Sequence, residues 1–260
     1  MSNGHSLLKA FTTIGLVLTL GVSMSAQAGL FGFGGDSWKE EVLLHDGSKI
    51  IVERSQAYGG RHEIGQTPPI KEQDITFTLP GTNRSFTWKS EYSEDIGRAN
   101  FKLLALHVLN GTPYIVTVPN LCLSYNKWGR PNPPYIIFKH DGKDWQRIPL
   151  QELPSEFKEN NLVINSKGEA RIITAQSIVT AELVRKLNGE LVQPEYKTIL
   201  REAYPGAAGG CIKTDYYKGA GWLSPDWFTD LPSLGACLKV CDYKRISVET
   251  CPCNSIFKGK

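Results

Sequence analysis

Several features that define large functional classes are missing from this sequence. Beyond Val22 no stretch approaches the roughly 18 consecutive apolar residues of a membrane-spanning helix. There is no run of Lys and Arg, and the 29 basic side chains nearly balance the 26 acidic ones, for a net charge of +3. A nucleic-acid-binding protein usually presents a strongly basic face. We therefore expect no membrane span in the mature chain and no nucleic-acid partner.

Common catalytic signatures are missing as well. The sequence has no Gly-x-Ser-x-Gly nucleophile elbow. The glycine-rich stretch "GLFGFGG" lies near the N-terminus, not between a strand and a helix where it would hold a phosphate. The stretch "HEIGQ" begins like the zinc-protease motif His-Glu-x-x-His but ends in Gln66. We therefore expect no cofactor and no bound metal, and catalysis has no motif to support it.

The N-terminus is typical of a secretory signal peptide. Lys9 precedes an apolar run over residues 11–22, and the small residues Ala26 and Ala28 follow. Cleavage after Ala28 would export the mature chain to the periplasm or the medium. We divide the chain into a signal peptide (1–28), a glycine-rich leader (29–37), a β-rich domain with late helices (38–205) and a cysteine-rich tail (206–260).

Four hairpins are predicted between Trp38 and Leu150. Each pair of strand-like runs flanks a turn dipeptide, namely Asp46-Gly47, Pro80-Gly81, Asn110-Gly111 and Asp141-Gly142. Asn-Gly and Asp-Gly supply the positive backbone angles that two-residue hairpin turns need. The series predicts an antiparallel sandwich or barrel. Because both the odd and the even positions of "LLALHVL" are apolar, we expect it to be the central strand, covered on both faces.

Two short helices are predicted after these strands. Thr180 is a suitable N-cap for a helix with Val184, Leu187 and Leu191 on one face. Pro194 suits the first position of a second helix, which we expect to continue to Ala203. The chain is thus predicted to be mainly β, with two short C-terminal helices and a disulfide-stapled tail.

The six cysteines form an even set, which predicts three disulfides in an oxidising compartment. A bond between Cys251 and Cys253 would need a strained small ring, and Cys237 and Cys241 on one helical turn are poorly aimed at each other. A zinc site from these four residues is the alternative, disfavoured by the short Cys-x-Cys spacing. The predicted pairs are Cys122–Cys211, Cys241–Cys251 and Cys237–Cys253.

Two blocks carry a resemblance to a known family. They are "CLSYNKWGRPNPPYIIFKHDGKDWQRIPLQELP" and "LNGELVQPEYKTILREA". Across residues 38–203 the chain resembles a family of exported proteobacterial proteins to which no activity is assigned. The resemblance implies export and a shared fold; it brings no functional residue, and it does not extend to the tail after Gly206.

The stretch "NKWGRPNPPY", residues 126–135, is the first candidate for a binding surface. Prolines stiffen the backbone, so Trp128, Arg130 and Tyr135 would be held on one ledge. Aromatic residues and Arg dominate recognition hot spots, and an aromatic ring suits stacking on a sugar. The alternative is structural: Trp128 covers the end of the sandwich while the prolines block edge-strand pairing.

The loop "GGRHEIGQ" is the second candidate. Arg61, His62 and Glu63 could bind an anion or perform acid/base catalysis, whereas the alternative is a solvated connection between strands. His45 and His140 each precede an Asp-Gly turn, and they could hold a metal if the two turns met. His107 lies in the most apolar strand and is interpreted as a core histidine.

These observations favour an exported binding protein that recognises an envelope protein or glycan, including proteins of the inhibitor or immunity type. The second hypothesis is a cell-envelope hydrolase or metal-assisted enzyme that uses Arg61, His62 and Glu63. The sequence leaves the ligand and the oligomeric state open.

Overall fold

The computed structural model describes residues 34–90 and 92–257. The predicted signal peptide and most of the leader lie outside the described residues. Within them, every helix is too short or too polar to traverse a lipid bilayer.

The first sheet is a four-stranded antiparallel meander with the order β1-β2-β3-β4. Its alternating burial follows from the alternation of apolar and polar residues in the sequence. Both hairpins predicted here are confirmed. The strands are β1 (Gly35–Leu43), β2 (Lys49–Tyr58), β3 (Ile70–Thr78) and β4 (Ser85–Ser90).

The second sheet is also a four-stranded antiparallel meander, with the order β10-β9-β8-β7. Asn110 and Gly111 have φ of 50° and 72°, as expected for a two-residue hairpin turn. Both hairpins predicted here are confirmed. A short pair, β5 (Tyr92–Ser93) and β6 (Arg98–Ala99), lies between the two sheets in the chain. The strands of the second sheet are β7 (Phe101–Leu109), β8 (Thr112–Pro119), β9 (Ile136–His140) and β10 (Trp145–Ile148), with α1 (Leu121–Lys127) between β8 and β9.

The two sheets form a sandwich with a shared core. Buried residues of the first sheet, such as Val52 and Phe77, belong to one hydrophobic cluster with Leu103 and Ile115 of the second. The outer face of the second sheet is covered by a later segment whose Phe157 is fully buried. The structure is therefore mainly β, as predicted.

The prediction for "LLALHVL" was half right. The strand is covered on both faces, but it lies at the edge of its sheet. A loop takes the place of a neighbouring strand: the Asn161 side chain exchanges hydrogen bonds of 2.8 and 2.9 Å with the backbone of Leu106, and Leu162 N donates to Leu104 O at 3.1 Å. These bonds satisfy edge groups that would otherwise be exposed to other chains.

The covering segment contains a 3-10 turn (Leu150–Glu152), α2 (Ala170–Thr174), α3 (Ala181–Gly189) and α4 (Pro194–Lys197). The predicted cap is confirmed, since Thr180 accepts a hydrogen bond from Leu183 N at 3.2 Å. The second predicted helix ends after one turn, so its extension to Ala203 was wrong. Thr198 is extended, and Ile199 N donates to Lys158 O at 2.8 Å, so long-range pairing replaces the helix.

The tail has its own small core, formed by Leu223, Phe228 and four cysteines. All three predicted disulfides are confirmed: Cys122–Cys211, Cys237–Cys253 and Cys241–Cys251. The last four cysteines of the tail are thus bonded in two pairs and do not form the alternative zinc site. The tail elements are β11 (Asp215–Tyr217), β12 (Gly221–Leu223), a 3-10 turn (Pro225–Phe228), α5 (Leu234–Tyr243) and α6 (Cys253–Ile256).

A candidate anion-binding pocket

The stretch at residues 126–135 binds the chain's own tail. The Arg130 guanidinium donates to Asn126 Oδ1 at 2.6 Å and to Cys211 O at 2.9 Å. Asn126 Nδ2 in turn donates to Ile212 O and to Thr214 Oγ1, at 2.9 and 2.7 Å. These bonds adjoin the Cys122–Cys211 disulfide, so this corner clamps the start of the tail onto α1.

The other two predicted ledge residues pack into the protein. Trp128 is half-buried against Phe101, with ring centroids 4.7 Å apart, and its Nε1 donates to Asn100 Oδ1 at 3.0 Å. Tyr135 is only 6% exposed; its hydroxyl donates to Thr198 O at 3.1 Å and accepts from Leu200 N at 3.0 Å. Burial raises the pKa of Tyr135 to about 12. The three side chains therefore do not form one exposed ledge, and the structural alternative describes Trp128 correctly.

The loop with Arg61, His62 and Glu63 is exposed between β2 and β3. Arg61 donates to Glu94 O at 2.8 Å, His62 Nδ1 lies 2.8 Å from Gly60 O, and Glu63 accepts from Gln66 at 3.2 Å. None of these contacts joins the three side chains to one another. A catalytic role for this loop stays a prediction.

The two Asp-Gly turns have different neighbours. His45 packs 5.0 Å from Phe157, whereas His140 packs 4.8 Å from Phe86, measured between ring centroids. Throughout residues 34–90 and 92–257, the only group of three or more side chains spaced to hold a metal is made of disulfide-bonded cysteines. The structure does not bring His45 and His140 together as a metal site.

A cluster of cations that the sequence analysis did not identify lines a cavity of about 200 Å³. Arg98 comes from β6, Lys102 from β7, and Lys167 from the loop before α2. No residue that lines the cavity is acidic. Within the described part of the chain, none of the three cations forms an ion pair.

The cations of this pocket repel one another. Burial lowers the pKa of Lys102, and the positive charge of Arg98 lowers it further. The pKa of Lys167 is lowered by the same two causes in the same order. Both lysines therefore hold a proton less tightly than they would in water, and a bound anion would relieve the repulsion.

The backbone next to Lys167 is held in place by a buried ion pair. Glu40 and Arg54 are almost fully buried, and Arg54 Nη1 lies 3.0 Å from Glu40 Oε2. Glu40 accepts a hydrogen bond from Val163 N at 2.6 Å, and Arg54 donates to Val163 O at 2.9 Å. Ser166 then donates to Gln56 at 2.8 Å. These bonds tie residues 163–166 to the first sheet, and so they position Lys167 next to the second sheet.

Neutral side chains stiffen the walls of the pocket. Gln73 donates to Phe101 O, and Asn120 donates to Ala99 O at 3.1 Å. Lys167 itself donates to two backbone carbonyls, of Thr67 and Pro68, at 3.2 and 2.6 Å. Lys167 is thus anchored to the backbone, and hydrogen bonds from Gln73 and Asn120 hold neighbouring parts of the pocket. The only signal in the sequence is that Arg98 and Lys102 are an even number of residues apart in an extended segment, a spacing that places their side chains on the same face.

The chain matches no protein-family model, no curated protein and no solved structure.

Proposed function

We propose that this protein is an exported, non-catalytic binding protein that holds an anionic group of an envelope macromolecule or protein in the pocket of Arg98, Lys102 and Lys167. The observation that carries the proposal is the convergence of three cations on one cavity without an acidic side chain. Cations that are partly desolvated and form no ion pair favour a carboxylate or phosphate ligand through charge-assisted hydrogen bonds.

Export rests on two independent features. The N-terminus is predicted to be a signal peptide, and the three disulfides suit an oxidising compartment such as the periplasm or the medium. The alternative of a hydrolase that uses Arg61, His62 and Glu63 lacks an observation in its favour, since these side chains are not joined in one site.

Calorimetric titration of the mature protein with inorganic phosphate, and separately with acetate, tests the proposal and distinguishes the two anion classes. We expect saturable binding of at least one anion at low ionic strength, weakened by added salt. Lys102→Met should lower the affinity about tenfold or more, because it removes one charge-assisted hydrogen bond of roughly 1.5–3 kcal/mol.

Lys143→Met is the matched control, since it removes an exposed lysine from the turn between β9 and β10. Equal loss of affinity in both variants, or no saturable binding of either anion, would contradict the proposal. Chemical shift changes confined to residues around the pocket would locate the bound anion independently.

A further inference from the structure

A second cavity, of about 520 Å³, lies where the tail meets the β domain. Its lining includes Arg61 and Asp95 together with Tyr216 and Trp222 of the β11–β12 hairpin. None of its lining residues lines the cationic pocket. Its volume falls within the roughly 300–1,000 Å³ of small-ligand sites.

Two aromatic rings form one wall of this cleft. Tyr216 and Trp222 are directly opposed across β11 and β12, with ring centroids 5.5 Å apart. Trp222 is fixed because its Nε1 donates to Asp95 O at 2.7 Å. Tyr216, in contrast, is 48% exposed. The face of an exposed aromatic ring carries partial negative charge and attracts the weakly positive C–H groups of an apolar partner surface.

Two side chains of opposite charge, Arg61 and Asp95, also line the cleft. Arg61 is held by Glu94 O at 2.8 Å, which leaves further N–H donors of its guanidinium available. Asp95 accepts from Lys127 Nζ at 2.9 Å. Burial acts to raise the pKa of Asp95, but hydrogen bonds from Lys127 and Ser93 outweigh it, so the pKa is lowered and the carboxylate is charged.

Two glycines, Gly219 and Gly221, also line the cleft. They have φ of 87° and 83°, in the left-handed region that glycine adopts without strain. The space next to the Cα of Gly221 is open, whereas a Cβ at Gly219 would lie 2.5 Å from Thr250 Cγ2. The cleft is therefore unobstructed by a side chain at Gly221.

We propose that this cleft binds a neutral pyranose unit of an envelope glycan, with the C–H face of the sugar on Tyr216 and adjacent hydroxyls between Arg61 and Asp95. A sugar ring presents an apolar face and a polar rim, and the cleft offers both partners at once. Donors and a charged acceptor in one cleft suit vicinal hydroxyls, which donate and accept together.

The test is titration of the mature protein with two neutral probes, an N-acetylglucosamine trimer and a glucose trimer, followed by Trp fluorescence and amide chemical shifts. We expect saturable binding of at least one trimer. Tyr216→Ala should weaken it at least tenfold, because the stacking face is lost, whereas Tyr216→Phe should retain the affinity within about threefold.

Tyr243→Ala provides the matched control, since Tyr243 is an exposed tail tyrosine, 80% accessible, outside the cleft. Absence of saturable binding for both trimers, or the same loss in Tyr216→Ala and Tyr243→Ala, would overturn the proposal. Phosphate and acetate titrations of Tyr216→Ala distinguish the two sites. If the variant loses sugar binding and keeps anion binding, the sugar binds in the cleft and the anion binds elsewhere. Conversely, Lys102→Met should leave binding of the trimers unchanged.

Discussion

We expect the free energy of unfolding to fall at acidic pH because the buried His107 resists protonation in the folded protein. The imidazole is 1% exposed, stacks on Phe157 with centroids 4.6 Å apart, and has its Nε2 2.9 Å from Glu159 O. Burial lowers its pKa from 6.5 to about 4, a shift to which the nearby His45 and Arg201 add and which the Glu159 contact opposes. The neutral ring donates its Nε2 proton to Glu159 O, and burial disfavours the addition of a second proton to the ring.

The sign of the effect follows from which state binds that proton. Between pH 6.5 and about 4 the unfolded chain protonates this histidine and the folded chain does not. The free energy of unfolding therefore falls as the pH falls through this window. A displacement of about 2.5 pKa units, at about 1.4 kcal/mol per unit, amounts to a loss of about 3 kcal/mol by pH 4.

The assay is urea unfolding of the native protein and of His107→Gln at several pH values from 7 to 4. Glutamine retains an N–H donor for Glu159 O but does not titrate. Carboxylates titrate in the same window in both proteins, so the stability difference between them is the informative quantity. It should shift by about 3 kcal/mol in favour of the variant between pH 7 and pH 4.

His62→Gln, which removes an exposed imidazole from the loop between β2 and β3, is the control for general loss of a histidine. Stability curves of the native protein and His107→Gln that run parallel from pH 7 to pH 4 would refute the reasoning.

Three further predictions follow from buried or clamped side chains. Glu40→Gln leaves Arg54 as an uncompensated buried charge, so we expect a loss of about 3–5 kcal/mol in urea unfolding; a loss below 1 kcal/mol would contradict this. Joint replacement of Cys122 and Cys211 by Ser opens a loop with a sequence separation of 89 and should lower stability by about 4 kcal/mol, with faster amide exchange in β11 and β12 as a second measurable result. Trp128→Ala removes a half-buried ring packed against the sandwich core, so we expect a loss of about 2 kcal/mol on thermal unfolding, and an unchanged melting temperature would contradict a packing role for Trp128.

The parts of the fold that were predictable depend on neighbouring residues. The turn at Asn110 and Gly111 and the helix cap at Thr180 follow from the backbone preferences of those residues, and both are present. The disulfide pairs were predictable because a covalent bond tolerates few geometries, which disfavours bonds between Cys251 and Cys253 and between Cys237 and Cys241 and leaves Cys122 to pair with Cys211. The resemblance to an exported family stays a prediction.

The remaining features depend on contacts between distant segments. Ile199 leaves its helix to bond with Lys158, and Asn161 occupies the edge of β7, because packing and hydrogen bonding across the fold outweigh local propensity there. Arg98 and Lys167 lie far apart in the chain and line one cavity in the folded protein, where Glu40 and Arg54 bind the backbone of Val163. The sequence by itself thus determined the hairpins, the cap and the cysteine pairs. Tertiary structure decided which charged and aromatic side chains share a cavity, since that depends on how the sheets and loops pack.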